Sequence, residues 1–252
     1  MSLNTDVTAD DLAIAGLVPL SSVDWPDHLV ATVFCQGCPW RCPYCQNVGI
    51  LDTRTPGIVP WPEVAALLDR RAGLLDGVVF TGGEAMRQAA LVPAMEEVRN
   101  RGLMVGLHTA GAYPRRLEES LNLIDWVGLD IKALPDDYRE AAGYNGGAKA
   151  WESLRLVLAA HRERAGTGHP LDYEIRLTVF PGAPADRHFA EFLAALRAEG
   201  VENFALQEAR AQGTDEVFQA MASRWDMPAW RVRWDEMAEA TRDAGFENVV
   251  VR

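Results

Sequence analysis

Short apolar runs with strand-like alternation recur over 29–34, 77–80, 104–108, 126–130, 173–179 and 203–207, and once more over 248–251. Between them, apolar positions spaced three and four apart predict helices over 62–71, 91–101, 114–121, 151–162, 185–199, 216–224 and 235–244. Pro62, Pro114 and the Ala185-Asp186 pair stand where helices prefer to open, and Gly73, Gly102, Gly200 and Gly245 follow the expected helix ends. Strands separated by helical crossovers predict an α/β fold with a mostly parallel sheet under helices. Six such strands suit a partial (β/α)6 barrel, with a doubly wound open sheet as the alternative. In both architectures ligands gather at the carboxyl ends of the strands.

Ahead of the first strand, residues 13–27 carry Pro19, Pro26 and Ser21-Ser22 and predict an N-terminal hairpin or cap. No repeat and no linker rich in Pro, Gly or Ser divides the chain, and 143–147 reads as a surface loop. The expectation is one domain over 1–252. It has a hairpin or cap at 1–28, a barrel core over 29–210, and C-terminal helices and a strand over 211–252.

Composition narrows the chemistry. With 252 residues, 48% hydrophobic and 24% charged, the chain is ordinary globular material and not a disordered or low-complexity one. Twenty-four Lys and Arg against 36 Asp and Glu leave a net charge of −12, which counts against a phosphate backbone as partner. No apolar run approaches the roughly 18 residues that span a bilayer. Residues 1–6 lack the basic start and apolar stretch of a secretory leader. The expected compartment is the cytoplasm, with neither nucleic acid nor membrane as partner.

All four cysteines fall in one stretch after the first strand: Cys35, Cys38, Cys42 and Cys45. Thiols so clustered cannot staple distant parts of a chain, so they point to a metal or redox site and not to a disulfide framework. Cys38, Cys42 and Cys45 form a C-x3-C-x2-C spacing. Soft thiolates on one short loop can reach corner irons of a cubane cluster and leave its fourth iron without a protein ligand. A structural zinc knot of all four cysteines is one alternative, though zinc modules usually bring ligand pairs across a longer loop. A Cys35–Cys38 redox pair is another, and it leaves Cys42 and Cys45 unused. Cys35 itself reads as a strand-end core residue.

Other strand ends carry polar groups as well. Gly82-Gly83-Glu84 follows the second strand, where paired glycines admit a ligand close to the backbone and the acid can accept hydrogen bonds. Asp130 and Lys132 at the fourth strand point to one side, as do Arg176 and Thr178 in the fifth. His108 reads as a packing or solvent-facing residue more readily than as a general base.

The cysteine spacing with Tyr44 before its last thiol resembles the radical S-adenosylmethionine (SAM) superfamily. Within it, the run 34–47 is similar to glycyl-radical-enzyme activases, above all those of anaerobic ribonucleoside-triphosphate reductase and pyruvate formate-lyase. It departs from them at Cys35, where an aliphatic residue is usual, and at Ala110, where they carry Asn. The resemblance implies a radical SAM barrel. It also implies a [4Fe-4S] cluster on Cys38, Cys42 and Cys45, with SAM contacts from Tyr44, Gly82, Gly83, Glu84, Thr109, Asp130, Lys132, Arg176 and Gln207. In that reading the reduced cluster cleaves SAM to a 5′-deoxyadenosyl radical that makes a glycyl radical on a partner enzyme, with flavodoxin or ferredoxin as reductant. A superfamily member acting on a small molecule or peptide, such as a 7-carboxy-7-deazaguanine synthase, is a second reading. A non-enzymatic zinc or iron–sulfur scaffold is a third.

Overall fold

The computed structural model describes residues 7–252. Residues 1–6, on which the absence of a leader and the start of the predicted cap rest, lie outside the described residues. Eight strands lie in one sheet in chain order: β1 (Ile14–Ser21), β2 (Val30–Cys35), β3 (Gly77–Gly82), β4 (Met104–Thr109), β5 (Trp126–Asp130), β6 (Asp172–Val179), β7 (Asn203–Glu208) and β8 (Asn248–Val251). Every pairing from β2 to β8 is parallel, and β1 runs antiparallel to β2. The helices between them are α1 (Trp61–Arg70), α2 (Leu91–Asn100), α3 (Pro114–Ser120), α4 (Tyr138–Ala142), α5 (Gly147–Arg164), α6 (Pro184–Arg187), α7 (Phe189–Glu199), α8 (Glu216–Ala222) and α9 (Met227–Asp243).

The strands alternate as their sequences predict. Val33, Phe80, Leu107, Leu129, Leu177 and Leu206 enter the main core together with Val64, Met95, Leu154 and Phe192 of the helices. The opposite face closes on a small second core of Trp25, Val30, Val79 and Trp126. Trp25, from the β1–β2 connection, stacks on Trp126 with ring centroids 5.7 Å apart. It also fills the space over Gly106, where an added Cβ would stand 2.7 Å from its ring. Val30, Met104 and Trp126 all open their strands, so this indole stoppers the amino-terminal end of the curl. The carboxyl end is left for a ligand.

Several expectations are refined. The order is sequential, without the reversal that defines a doubly wound sheet, so the open sheet is a partial barrel. The expected cap over 13–27 is one strand, β1, hairpinned onto β2. It tolerates Pro19 because an edge strand has amide groups that face away from its partner, and the register shifts between Val18 and Ser21. The helix expected over 185–199 is two, broken at His188 with φ −112° and ψ 34°. The helix expected at 235 starts at Met227, where Asp226 accepts the Ala229 N–H at 3.1 Å and Pro228 suits the first turn. α4 and the early start of α5 had no periodic signal. Among the described residues no helix is long and apolar enough to cross a membrane.

Candidate active site at the carboxyl ends of the strands

β2 ends on Cys35, whose side chain is fully buried in the main core, and burial pushes its thiol up to about 12. The chain then turns through the cysteine loop, which is held from several sides. Gly37 N–H donates to Ile50 O at 2.8 Å, Cys38 N–H to Leu51 O at 3.1 Å, and Arg41 N–H to Ala142 O at 2.9 Å at the end of α4. Trp40 is buried and meets Tyr138 of α4 edge-on at 5.6 Å. Inside the loop, Cys45 N–H donates to Cys42 O at 3.1 Å, and Asn47 N–H to Cys45 Sγ at 3.3 Å. Cys38, Cys42 and Cys45 then line one cavity of about 430 Å3, a volume in the range of small-molecule sites.

The end of β3 is locked onto this loop by backbone. Gly83 N–H donates to Cys35 O, and Glu84 N–H to Gly37 O, both at 2.9 Å. Gly82 takes φ +102°, and a Cβ there would lie 2.6 Å from Cys35 N, while a Cβ on Gly83 would run into Gly37 O. Glycine is therefore required at both positions, and their backbone faces the cavity. Glu84 does not line the cavity: it is buried behind the wall and saturated by the protein. Its carboxylate accepts Thr109 Oγ1–H at 2.8 Å, Ala110 N–H at 2.9 Å and Met86 N–H at 3.2 Å. Burial raises its pKa, opposed by these three donors.

Across the cavity, Asp130 Oδ1 accepts Arg176 Nε–H at 2.9 Å and Oδ2 faces Lys132 Nζ at 3.3 Å. Burial would raise Asp130, but Lys132, Arg176 and His108 outweigh it and hold the carboxyl at about 2. Burial works against the Lys132 ammonium too, yet its pKa is raised, and the ionised Asp130 carboxylate at 3.3 Å keeps it charged. Its Nζ stands 3.5 Å from Tyr44 Oη and 5.5 Å from that ring's centre, so Tyr44 bridges the cysteine loop to β5. Gln207 and Thr178 close the β6–β7 side.

Sequence-predicted residues thus converge: the three thiols, Tyr44, Gly82, Gly83, Thr109, Asp130, Lys132, Arg176 and Gln207 share one cavity, and Glu84 stands behind it. His108 lines it as well, but as a strut. Asp24 O can only accept, so Nε2 carries the proton at 2.7 Å and Nδ1 accepts from Thr81 Oγ1 at 3.2 Å. Sequence reasoning missed Arg252, which lines the cavity from beyond β8, and Tyr138, whose hydroxyl accepts the Lys132 N–H at 3.0 Å. Neither sits in a pattern that sequence spacing marks.

The donor set fits an iron–sulfur cluster. Burial pushes the Cys38 thiol up to about 12 and raises that of Cys42, so thiolate there needs a cation beside it, which a coordinated metal supplies. Among the described residues no three Cys, His, Asp or Glu side chains gather tightly enough to grip one ion. The thiolates of a cubane each hold a different iron and have no need to.

The Radical SAM superfamily profile matches residues 32–193, from β2 into α7. A protein of Methanocaldococcus jannaschii assigned as a glycyl-radical enzyme activating enzyme is 31% identical over 130 residues, 50% of this chain and 53% of its own length. The pyruvate formate-lyase-activating enzyme of Clostridium pasteurianum is 32% identical over 129 residues, 49% of this chain and 54% of its own. The chain therefore matches about half the length of these curated relatives. Among solved structures, SuiB of Streptococcus suis bound to S-adenosylmethionine superposes on 86% of this chain and 48% of SuiB, with a TM-score of 0.61 at 12% identity, a likeness of fold. With the profile match extending over more than half its length and a parallel partial barrel to carry it, the chain belongs to the radical SAM superfamily, enzymes that use a [4Fe-4S] cluster and S-adenosylmethionine.

Proposed function

We propose that the chain is a glycyl-radical-enzyme activating enzyme whose partner is anaerobic ribonucleoside-triphosphate reductase, acting as one radical SAM domain in the cytoplasm. The observation that carries this reading is the meeting, in one cavity, of the cysteine loop with the Asp130–Lys132–Arg176 cluster. The activating-enzyme relatives support the same direction.

Cys38, Cys42 and Cys45 would hold the cluster. When bound, the cluster supplies one electron to the sulfonium of SAM, giving methionine and a 5′-deoxyadenosyl radical that takes a hydrogen from a backbone glycine Cα of the partner. The chain's own residues bind and orient. Lys132 offers its ammonium to the SAM carboxylate, with Arg176 beside it, and Asp130 can accept from a ribose hydroxyl. The backbone at Gly82 and Gly83 approaches the amino group. Glu84 acts from behind by setting Thr109. Tyr44 shields the loop side, Gln207 faces the adenosyl part, and buried Trp25 and Trp126 exclude water from below. Flavodoxin or ferredoxin would deliver the electron.

The test mixes anaerobically reconstituted, reduced protein and SAM with anaerobic ribonucleotide reductase and looks for a glycyl doublet by electron paramagnetic resonance. A doublet supports the assignment. Release of 5′-deoxyadenosine without a doublet keeps the enzyme class and removes this partner.

A further inference from the structure

β8 lies outside the six strands that a partial barrel needs, yet it delivers a side chain to the cavity. Arg252 follows it directly and is fixed by backbone on both sides of Gln207, donating N–H to Leu206 O at 3.0 Å and accepting Glu208 N–H at 2.9 Å. From there the guanidinium crosses the inner face to β6. Its Nη2 donates to Glu174 Oε1 at 2.7 Å, a carboxylate that is buried on the barrel side of the sheet. The same guanidinium settles the amide of Gln207. With Oε1 turned toward Arg252, that oxygen accepts from Nη2 at 3.0 Å and from Nε at 2.9 Å, and both partners are satisfied. The amide position 3.4 Å from Thr178 Oγ1 is then the NH2 group. Arg252 has no acceptor of its own, so it permits no other orientation.

We propose that Arg252 is a positioning residue. Anchored on Glu174, it locks the Gln207 amide with its NH2 toward the cavity, so that the β6–β7 wall offers donors to an acceptor-bearing part of bound SAM. The proposal deepens the function above and rests on this cavity being the SAM site. An unlocked amide would spend part of its time presenting an oxygen to that acceptor, and holding it is the kind of preorganisation that raises affinity without adding a contact.

The test uses the anaerobically reconstituted chain with SAM as probe, reading affinity by titration calorimetry and folding by thermal melts. Removing Arg252 alone would strand the buried Glu174 charge, so Arg252→Met is made together with Glu174→Gln and compared with Glu174→Gln alone. The double variant is expected to bind SAM about tenfold more weakly, about 1.4 kcal/mol, at an unchanged melting temperature. Gln207→Glu keeps a partner for Arg252 but sets an oxygen where the NH2 stood, and a loss at least as large is expected. Affinity within about twofold of the Glu174→Gln reference for the double variant, or of wild type for Gln207→Glu, overturns the proposal. Wild-type protein that does not bind SAM overturns the proposed function with it, so the wild-type arm separates the two failures.

Discussion

The buried carboxylate of Glu84 accepts the Thr109 hydroxyl at 2.8 Å and so ties the end of β3 to the end of β4. Ala110 N–H, on the other carboxylate oxygen, makes the tie bidentate. Thr109 passes the order on, since its Oγ1 accepts the Gly111 N–H at 3.0 Å. Glu84, expected from the sequence among the SAM contacts, thus clamps from behind two turns that line the cavity.

Glu84→Gln is expected to lower stability by about 1–3 kcal/mol, because an amide offers one acceptor oxygen where three donors converge and leaves a buried N–H unpaired. Urea denaturation reads this directly. A midpoint equal to wild type would show that the three hydrogen bonds do not hold the turns. SAM affinity should fall with it, through Thr109 and not through loss of a contact at position 84.

The cysteine spacing predicts a division of labour among the four thiols. Cys38→Ala, Cys42→Ala and Cys45→Ala should each lose cluster iron and SAM cleavage after anaerobic reconstitution. Cys35→Ala should keep the iron of wild type and lose only packing, since this side chain is fully buried in the core and does not line the cavity that Cys38, Cys42 and Cys45 share. Iron and sulfide analysis of the four variants checks it. Equal loss at Cys35 and Cys42 would put the ligand assignment wrong.

Legibility followed the kind of physics involved. Strands β2 to β7 were readable because short, nearly continuous apolar runs mark strands buried on both faces of a parallel sheet, and the cluster loop because its three soft ligands happen to be close neighbours in the sequence. The polar residues at strand ends were readable because the fold gathers them in one place whatever the helices do. β1 and the split at His188 were not, since edge pairing and a local break in φ and ψ leave no periodic trace. Arg252 was invisible for a further reason. Its role depends on how far a guanidinium reaches across a neighbouring strand, and no one-dimensional spacing encodes that. Glu84 shows the reverse case, in which a motif was legible and its side chain's partners were not.

The stopper under the cavity makes a packing prediction. Gly106→Ala would place a methyl 2.7 Å from Trp25 and 2.9 Å from Val79. Overpacking of this kind costs about 1–3 kcal/mol. Trp25→Leu on that background should recover part of the loss, whereas Trp25→Leu alone should destabilise by leaving a void beside Trp126. A double-mutant cycle in urea measures the coupling; purely additive effects would mean the indole does not rest on Gly106.

His108 sets the acid limb of stability. Burial, helped by the Arg176 guanidinium, pulls its pKa down from 6.5 to about 3, against the Asp24 O hydrogen bond, which favours the protonated ring. A base whose folded pKa is depressed takes up its proton in the unfolded chain first. Between about pH 6.5 and about pH 3 the unfolded state thus binds more protons than the folded one, and stability falls as the solution becomes more acidic. Above that window the contribution is fully present. Carboxylates titrate over the same range, Asp130 among them, so the histidine's share has to be read as a difference between two proteins. His108→Gln supplies the comparison: its amide can donate to Asp24 O and accept from Thr81 Oγ1, and it carries no titration. Urea midpoints followed from about pH 7 to about pH 4 should fall more steeply in wild type than in His108→Gln, with the two curves drawing together toward acid. Parallel curves would mean that the imidazole takes up its proton in the fold as readily as in the unfolded chain, and that burial beside Arg176 does not hold it neutral.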